Sequence, residues 1–120
     1  MAINQELYGS LKKVLAASGQ LETIINLFVT NAEERLNSLK VAVSEDDREA
    51  IKRIAHSIKG SCSMLGGVRC AELCQGIEDV CHENSLVSPS SLIDELGAEI
   101  NNMAKFLRSD LSGTNPECCN

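Results

Sequence analysis

Ile54-Ala55-His56-Ser57-Ile58-Lys59-Gly60-Ser61-Cys62-Ser63-Met64-Leu65-Gly66-Gly67 is the stretch on which the reading of this 120-residue chain turns. Ile51, Ile54, Ile58, Cys62 and Leu65 recur at steps of three and four, the period of a helix that buries one face. At about 100° per residue that stripe points away from His56. The same wheel brings Glu49, Lys52, Lys59, Gly60 and Ser63 within roughly 60° of the histidine. His56 therefore stands on the wet side of the helix, flanked by lysines, with a glycine one turn on.

Gly60 is what lifts the histidine above an ordinary surface residue. A glycine inside a helix costs about 1 kcal/mol relative to alanine. It is not a terminator, because Ser61 to Leu65 keep the apolar register and Gly66-Gly67 makes a better stop. It occupies the position that stacks against His56, so the imidazole is left bare to an approaching protein. Lys59, which elsewhere would be a solubiliser, can set its ammonium against anionic oxygens carried by the ring. Imidazole is nucleophilic at neutral pH, and phosphoryl is the obvious anion for it to carry covalently.

The rest of the chain supplies a bundle around that helix. A composition that is 43% hydrophobic but only 2% aromatic requires an aliphatic, cysteine-filled core, which suits helices better than a sandwich. The length allows one domain. Residues 4–17 form a short amphipathic helix with Leu7, Leu11, Val14 and Leu15 on its face. A long helix follows from Leu21 to about Val43, with Leu21, Ile24, Ile25, Phe28, Ala32, Leu36, Leu39 and Val43 at core spacing. Ser44-Glu45-Asp46-Asp47 breaks it and offers an N-cap with acidic first-turn residues for the His56 helix, about 46–65. After the Gly66-Gly67 reversal a fourth helix, 68–84, returns antiparallel. Its buried stripe is Cys70, Leu73, Cys74, Ile77 and Cys81, and Glu72, Gln75, Glu78, Asp79 and Glu83 form its wetter faces. Pro89 opens the last helix, with Leu92, Ile93, Leu96, Ile100, Met103 and Phe106 or Leu107 inward. The fold class expected is all-α, an antiparallel four-helix bundle with a short extra N-terminal helix. The bundle takes residues 1–109, and 110–120 form a flexible tail.

Charge and cysteines narrow the function classes. A net charge of −6 argues against nucleic-acid binding. No apolar run approaches a membrane span and the N-terminus lacks a signal-peptide pattern, so a soluble cytoplasmic protein is expected, with the nucleus open to it in a eukaryote. Cys70, Cys74 and Cys81-His82 could be drawn as a zinc site. No second close pair of ligands accompanies them, however, and thiols on an apolar stripe act as small hydrophobes. Reduced thiols, and no metal site, are therefore expected. His82 reads as a partner for the helix dipole, and Cys118-Cys119 as tail thiols.

His-x-x-Lys-Gly-Ser-x-x-x-x-Gly, here His56, Lys59, Gly60, Ser61 and Gly66, resembles the signature of histidine-containing phosphotransfer (HPt) domains. Ala55, Phe28 and the run from Ala71 to Glu78 extend the resemblance over nearly the whole chain. It implies that a receiver domain carrying phosphoaspartate docks around His56, that the imidazole takes the phosphoryl group, and that a second receiver's aspartate later accepts it. The partners implied are the receivers of hybrid histidine kinases and response regulators, met by a monomer. Mg²⁺ would sit on the receiver, so this chain needs no cofactor. Glu78 falls where the family carries a Gln or Glu that hydrogen-bonds the histidine. Arg48, Lys52, Arg53, Lys59 and Arg69 read as a basic collar for an acidic partner pocket, with Ser63 beside them. An autophosphorylating histidine kinase is disfavoured: Ser57, not an acidic residue, follows His56, and no room is left for an ATP-binding domain. A receiver-binding adaptor without phosphate, and the HPt domain of a larger sensor kinase, are the remaining alternatives. Met1 and the complete bundle favour a free carrier.

Overall fold

The computed structural model describes residues 3–82 and 88–112 of the chain. Five helices account for nearly all of it: α1 (Gln5–Ser18), α2 (Leu21–Ser44), α3 (Arg48–Met64), α4 (Val68–His82) and α5 (Ser90–Ser112). Helices α2 to α5 pack in a ring, each against its two neighbours, and α1 lies outside it against α2. Contacts run in opposite senses along neighbouring helices. Arg48, His56 and Lys59 of α3 meet Val80, Glu78 and Gln75 of α4. On α4, Cys70 meets Met103 and Gly76 faces Leu92 of α5. This is an up-down-up-down four-helix bundle with a short extra helix.

Both reversals that frame α3 are made by backbone capping. At the end of α2, Asp47 N–H donates to Ala42 O at 2.9 Å and Asp46 N–H to Val43 O at 3.0 Å, with Asp46 left-handed at φ 51°. Asp47 then caps α3, its carboxylate accepting from Ala50 N–H at 3.1 Å. At the end of α3, Gly67 N–H donates to Cys62 O at 2.7 Å and Gly66 N–H to Ser63 O at 3.1 Å. Both are Schellman closures, which need a left-handed residue just past the helix. Gly66 supplies it at φ 80°, and a Cβ there would also lie 2.7 Å from Asn4 O. At Gly67 a Cβ would lie 2.6 Å from Met103 Sδ. The glycine pair is thus needed for the turn and for what packs on it: α5 on one side and the start of α1 on the other, where Asn4 N–H donates to Gly66 O.

The core is aliphatic and sulfur-rich. Ile25, Phe28, Leu39, Ile51, Ile58, Leu65, Ile77, Leu96, Met103 and Leu107 are buried, together with Cys62, Cys70, Cys74 and Cys81. Ala55 is fully buried on α3, while Ile54 is only half-buried, so the apolar face is centred closer to His56 than the isoleucine spacing suggests. On α1 the expected face holds only in part. Leu11 packs against the core, but Leu7 and Val14 are 47% and 69% exposed, and Tyr8 is the buried anchor. Tyr8 Oη donates to Asp110 Oδ2 at 2.6 Å and stacks edge-on against Phe106, and Lys12 Nζ lies 2.9 Å from Asp110 Oδ1. α5 accordingly continues past Ser109, where a tail was expected, and Asp110 is a buried clamp for α1. The expected extension of α4 to residue 84, and the tail from Gly113, lie outside the described residues.

A hydrogen-bonded buried carboxylate of this kind is costly to remove. Asp110→Ala should lower stability by about 1–3 kcal/mol, read as a shift of the urea midpoint. A parent-like midpoint would show that α1 is held by other contacts.

Candidate functional site

The site lies on the outer surface of the α3–α4 pair. The His56 side chain is 70% exposed, one position from the fully buried Ala55 that anchors its backbone. Its Nδ1 lies 3.2 Å from Glu78 Oε1. An ionised carboxylate can only accept, so Nδ1 carries the proton and Nε2 keeps its lone pair, pointing away from α4. Glu78 itself is only 19% exposed, which limits its freedom and fixes the ring's orientation, as partners behind functional histidines do.

Lys59 closes the cluster. Its Nζ lies 3.0 Å from Glu78 Oε2 and donates to Gln75 Oε1 at 2.8 Å. Glu78 Oε2 has the ammonium within ion-pair distance but no directed hydrogen bond. The carboxylate therefore feels the charge of the ammonium, one of whose three N–H groups is given to the amide. Gln75 is held in turn, its Nε2 donating to Asp79 Oδ1 at 2.8 Å. Sequence reasoning placed Gln75 only on a wet face. The missed signal was its spacing, one turn before Glu78 and Asp79 on the same side of α4.

Gly60 continues the helix one turn beyond His56, and a Cβ there would meet nothing within 4 Å. No internal contact therefore requires glycine. What the bare backbone leaves open is the solvent side of the imidazole.

The expected basic collar is only partly assembled. Lys52 pairs with Glu49 at 2.9 Å, and Arg53 is exposed on the same flank of α3. Arg48 lies two turns away, about 12 Å along the axis, donating to Val80 O at 3.4 Å. Arg69 faces α5, where it meets Glu95 at 3.2 Å. Neither belongs to the rim of His56, because Arg48 is the first residue of α3 and Arg69 the second of α4, at opposite ends of the antiparallel pair. Ser63 is exposed but lies two turns on, lining a shallow groove of about 380 Å³ with Leu7, Gly67, Val68, Ala71 and Gln75.

The buried cysteines are not part of this chemistry. Cys70 Sγ contacts Met103 Sδ at 3.2 Å. A hydrogen bond with Cys70, reinforced by burial, pushes the Cys62 thiol far up, and burial raises Cys74 to about 12. Both thiols stay protonated and inert at neutral pH. Among the described residues, no three His, Cys, Asp or Glu side chains converge as a metal ion would require. His82 is exposed in the last turn of α4. Also among the described residues, no helix is long and apolar enough to cross a membrane.

Comparison with known proteins points to one family. The chain is 40% identical over 52 residues to the sensor protein TorS of Escherichia coli strain K12. That stretch is 43% of this chain but 6% of TorS, so the chain spans only a small part of that relative's length. The fold superposes with a TM-score of 0.85 on the crystal structure of histidine-containing phosphotransfer protein B (HptB) from Pseudomonas aeruginosa PAO1. The match is at 27% identity and covers 91% of this chain and 93% of that one. The model of the Hpt domain family matches residues 23–106, a span that includes α3, α4 and every residue of the site, and the protein belongs to that family.

Proposed function

We propose that this chain is a phosphorelay intermediate, receiving a phosphoryl group from the aspartate of one receiver domain on His56 and passing it to the aspartate of another. The observation that carries the reading is the exposed imidazole whose Nδ1 is engaged by Glu78, leaving Nε2 as the nucleophile. Nε2 attacks phosphorus, the bond from phosphorus to the aspartyl oxygen breaks, and the carboxylate leaves with its electron pair. The ring becomes a phosphoimidazolium whose Nδ1 proton is steadied by Glu78. Lys59 lies beside Glu78 and offers its charge to the phosphoryl oxygens. Phosphoryl transfer asks mainly for positioning and charge, and these side chains supply both. Mg²⁺ belongs to the receiver in this reading, and the chain acts as a carrier that ends each cycle unphosphorylated.

A second reading keeps the chemistry and changes the setting. The similarity to a short part of TorS, a sensor protein, favours the same domain working inside a larger sensor, with the donor receiver on the same polypeptide.

Incubation with a phosphorylated receiver domain should place acid-labile, alkali-stable phosphate on the chain. His56→Gln should abolish it, and Glu78→Ala should slow transfer on the order of tenfold. Labelling that survives His56→Gln would remove the reading. Gly60→Ala should stabilise the fold by up to about 1 kcal/mol, whereas Gly60→Leu should block transfer with the fold intact, as seen by circular dichroism beside the rate. Replacing Lys52 and Arg53 together by alanine should slow transfer at low salt and converge on the parent rate as salt rises. A salt-independent difference would assign them another role.

A further inference from the structure

Lys59 has two neighbours on α4, and they hold it differently. The carboxylate of Glu78 lies 3.0 Å away without a directed hydrogen bond. The amide oxygen of Gln75 takes the hydrogen bond, at 2.8 Å. An amide can turn over and offer its NH₂ instead. Here it cannot do so freely, because Gln75 Nε2 already donates to Asp79 Oδ1 at 2.8 Å. Asp79 accepts only, so it fixes which end of the amide faces Lys59. The Lys59 side chain is 27% exposed, so without that bond its long stem would sample many rotamers in water.

We infer that Gln75, braced by Asp79, is a positioning residue that fixes the Lys59 ammonium on the α4 rim of the site, beside Glu78, from where its charge acts on a phosphoryl group carried by His56. A neutral amide suits the task. A carboxylate at the same place would hold the lysine as well, but it would add negative charge beside an incoming dianion. Gln75 touches neither His56 nor the phosphoryl group, so its effect runs entirely through Lys59. The rate consequence rests on the phosphotransfer reading; the placement of Lys59 does not.

The test is a cycle of Gln75→Met, which keeps the length and removes the acceptor, with Lys59→Ala. Each variant is followed by carbon relaxation at Lys59 Cε where the lysine is present, by transfer rate from a phosphorylated receiver, and by melting temperature. Gln75→Met should disorder Lys59 Cε and slow transfer several-fold at unchanged melting temperature. It should add nothing once Lys59 is alanine. Gln75→Glu should restore order at Cε yet leave transfer slower than in the parent. Equal order at Lys59 Cε in parent and Gln75→Met, or the same slowing by Gln75→Met in the Lys59→Ala background, would overturn the inference. A parent that takes up no phosphate but loses Lys59 order on Gln75→Met would sink the phosphotransfer reading while supporting the placement of the lysine.

Discussion

Glu78 reaches His56 because α4 runs back along α3 in one register, and three residues at the reversal, Leu65 to Gly67, set that register. The backbone of α3 closes on itself there through Cys62 and Ser63, and Gly66 adopts the left-handed conformation the closure requires. A one-residue change in this turn would rotate α4 by about 100° relative to the site. Glu78 and Gln75 would then face elsewhere, and His56 would be an unsupported imidazole on a helix surface.

The seam beneath the site makes the same demand in another form. Of the buried positions on α3 and α4, Ala55, Cys62, Cys70, Cys74 and Cys81 are small, beside the larger Ile51, Ile58, Leu73 and Ile77. Short side chains let helix axes approach closely, and side chains on the outer rim can then touch across the pair. The His56–Glu78 and Lys59–Gln75 contacts are polar, yet the helix spacing that permits them comes from the size of residues in the core. Replacing those thiols with bulkier hydrophobes would push the rims apart even if the core still packed.

Much of this was readable before any coordinates. Helical periodicity and the two glycines gave the bundle, its order and both ends of α3, because each signal is local. The histidine, lysine and glycine of one helix face were legible for the same reason. Glu78 was not reachable from spacing, since its relation to His56 depends on the α3–α4 register; it entered through family resemblance. Gln75 escaped altogether, as its partner is across the pair and its side chain type has many uses. The collar was overdrawn for the converse reason. A helical wheel gives angle but not depth along the axis, so Arg48 looked near the histidine when it sits two turns off. On α1 the wheel found Leu11 but missed Tyr8, which takes the interior in place of Leu7 because it has a buried carboxylate partner, and that partner lies 102 residues away.

The clamp of Tyr8 and Lys12 on Asp110 has a consequence for how such a unit can be wired into longer polypeptides. Together with the seat of Asn4 on Gly66, it gathers the first and last described helices at the pole of the bundle where α3 ends. Tethers attached before Ile3 and after Ser112 would leave from neighbouring points at that pole.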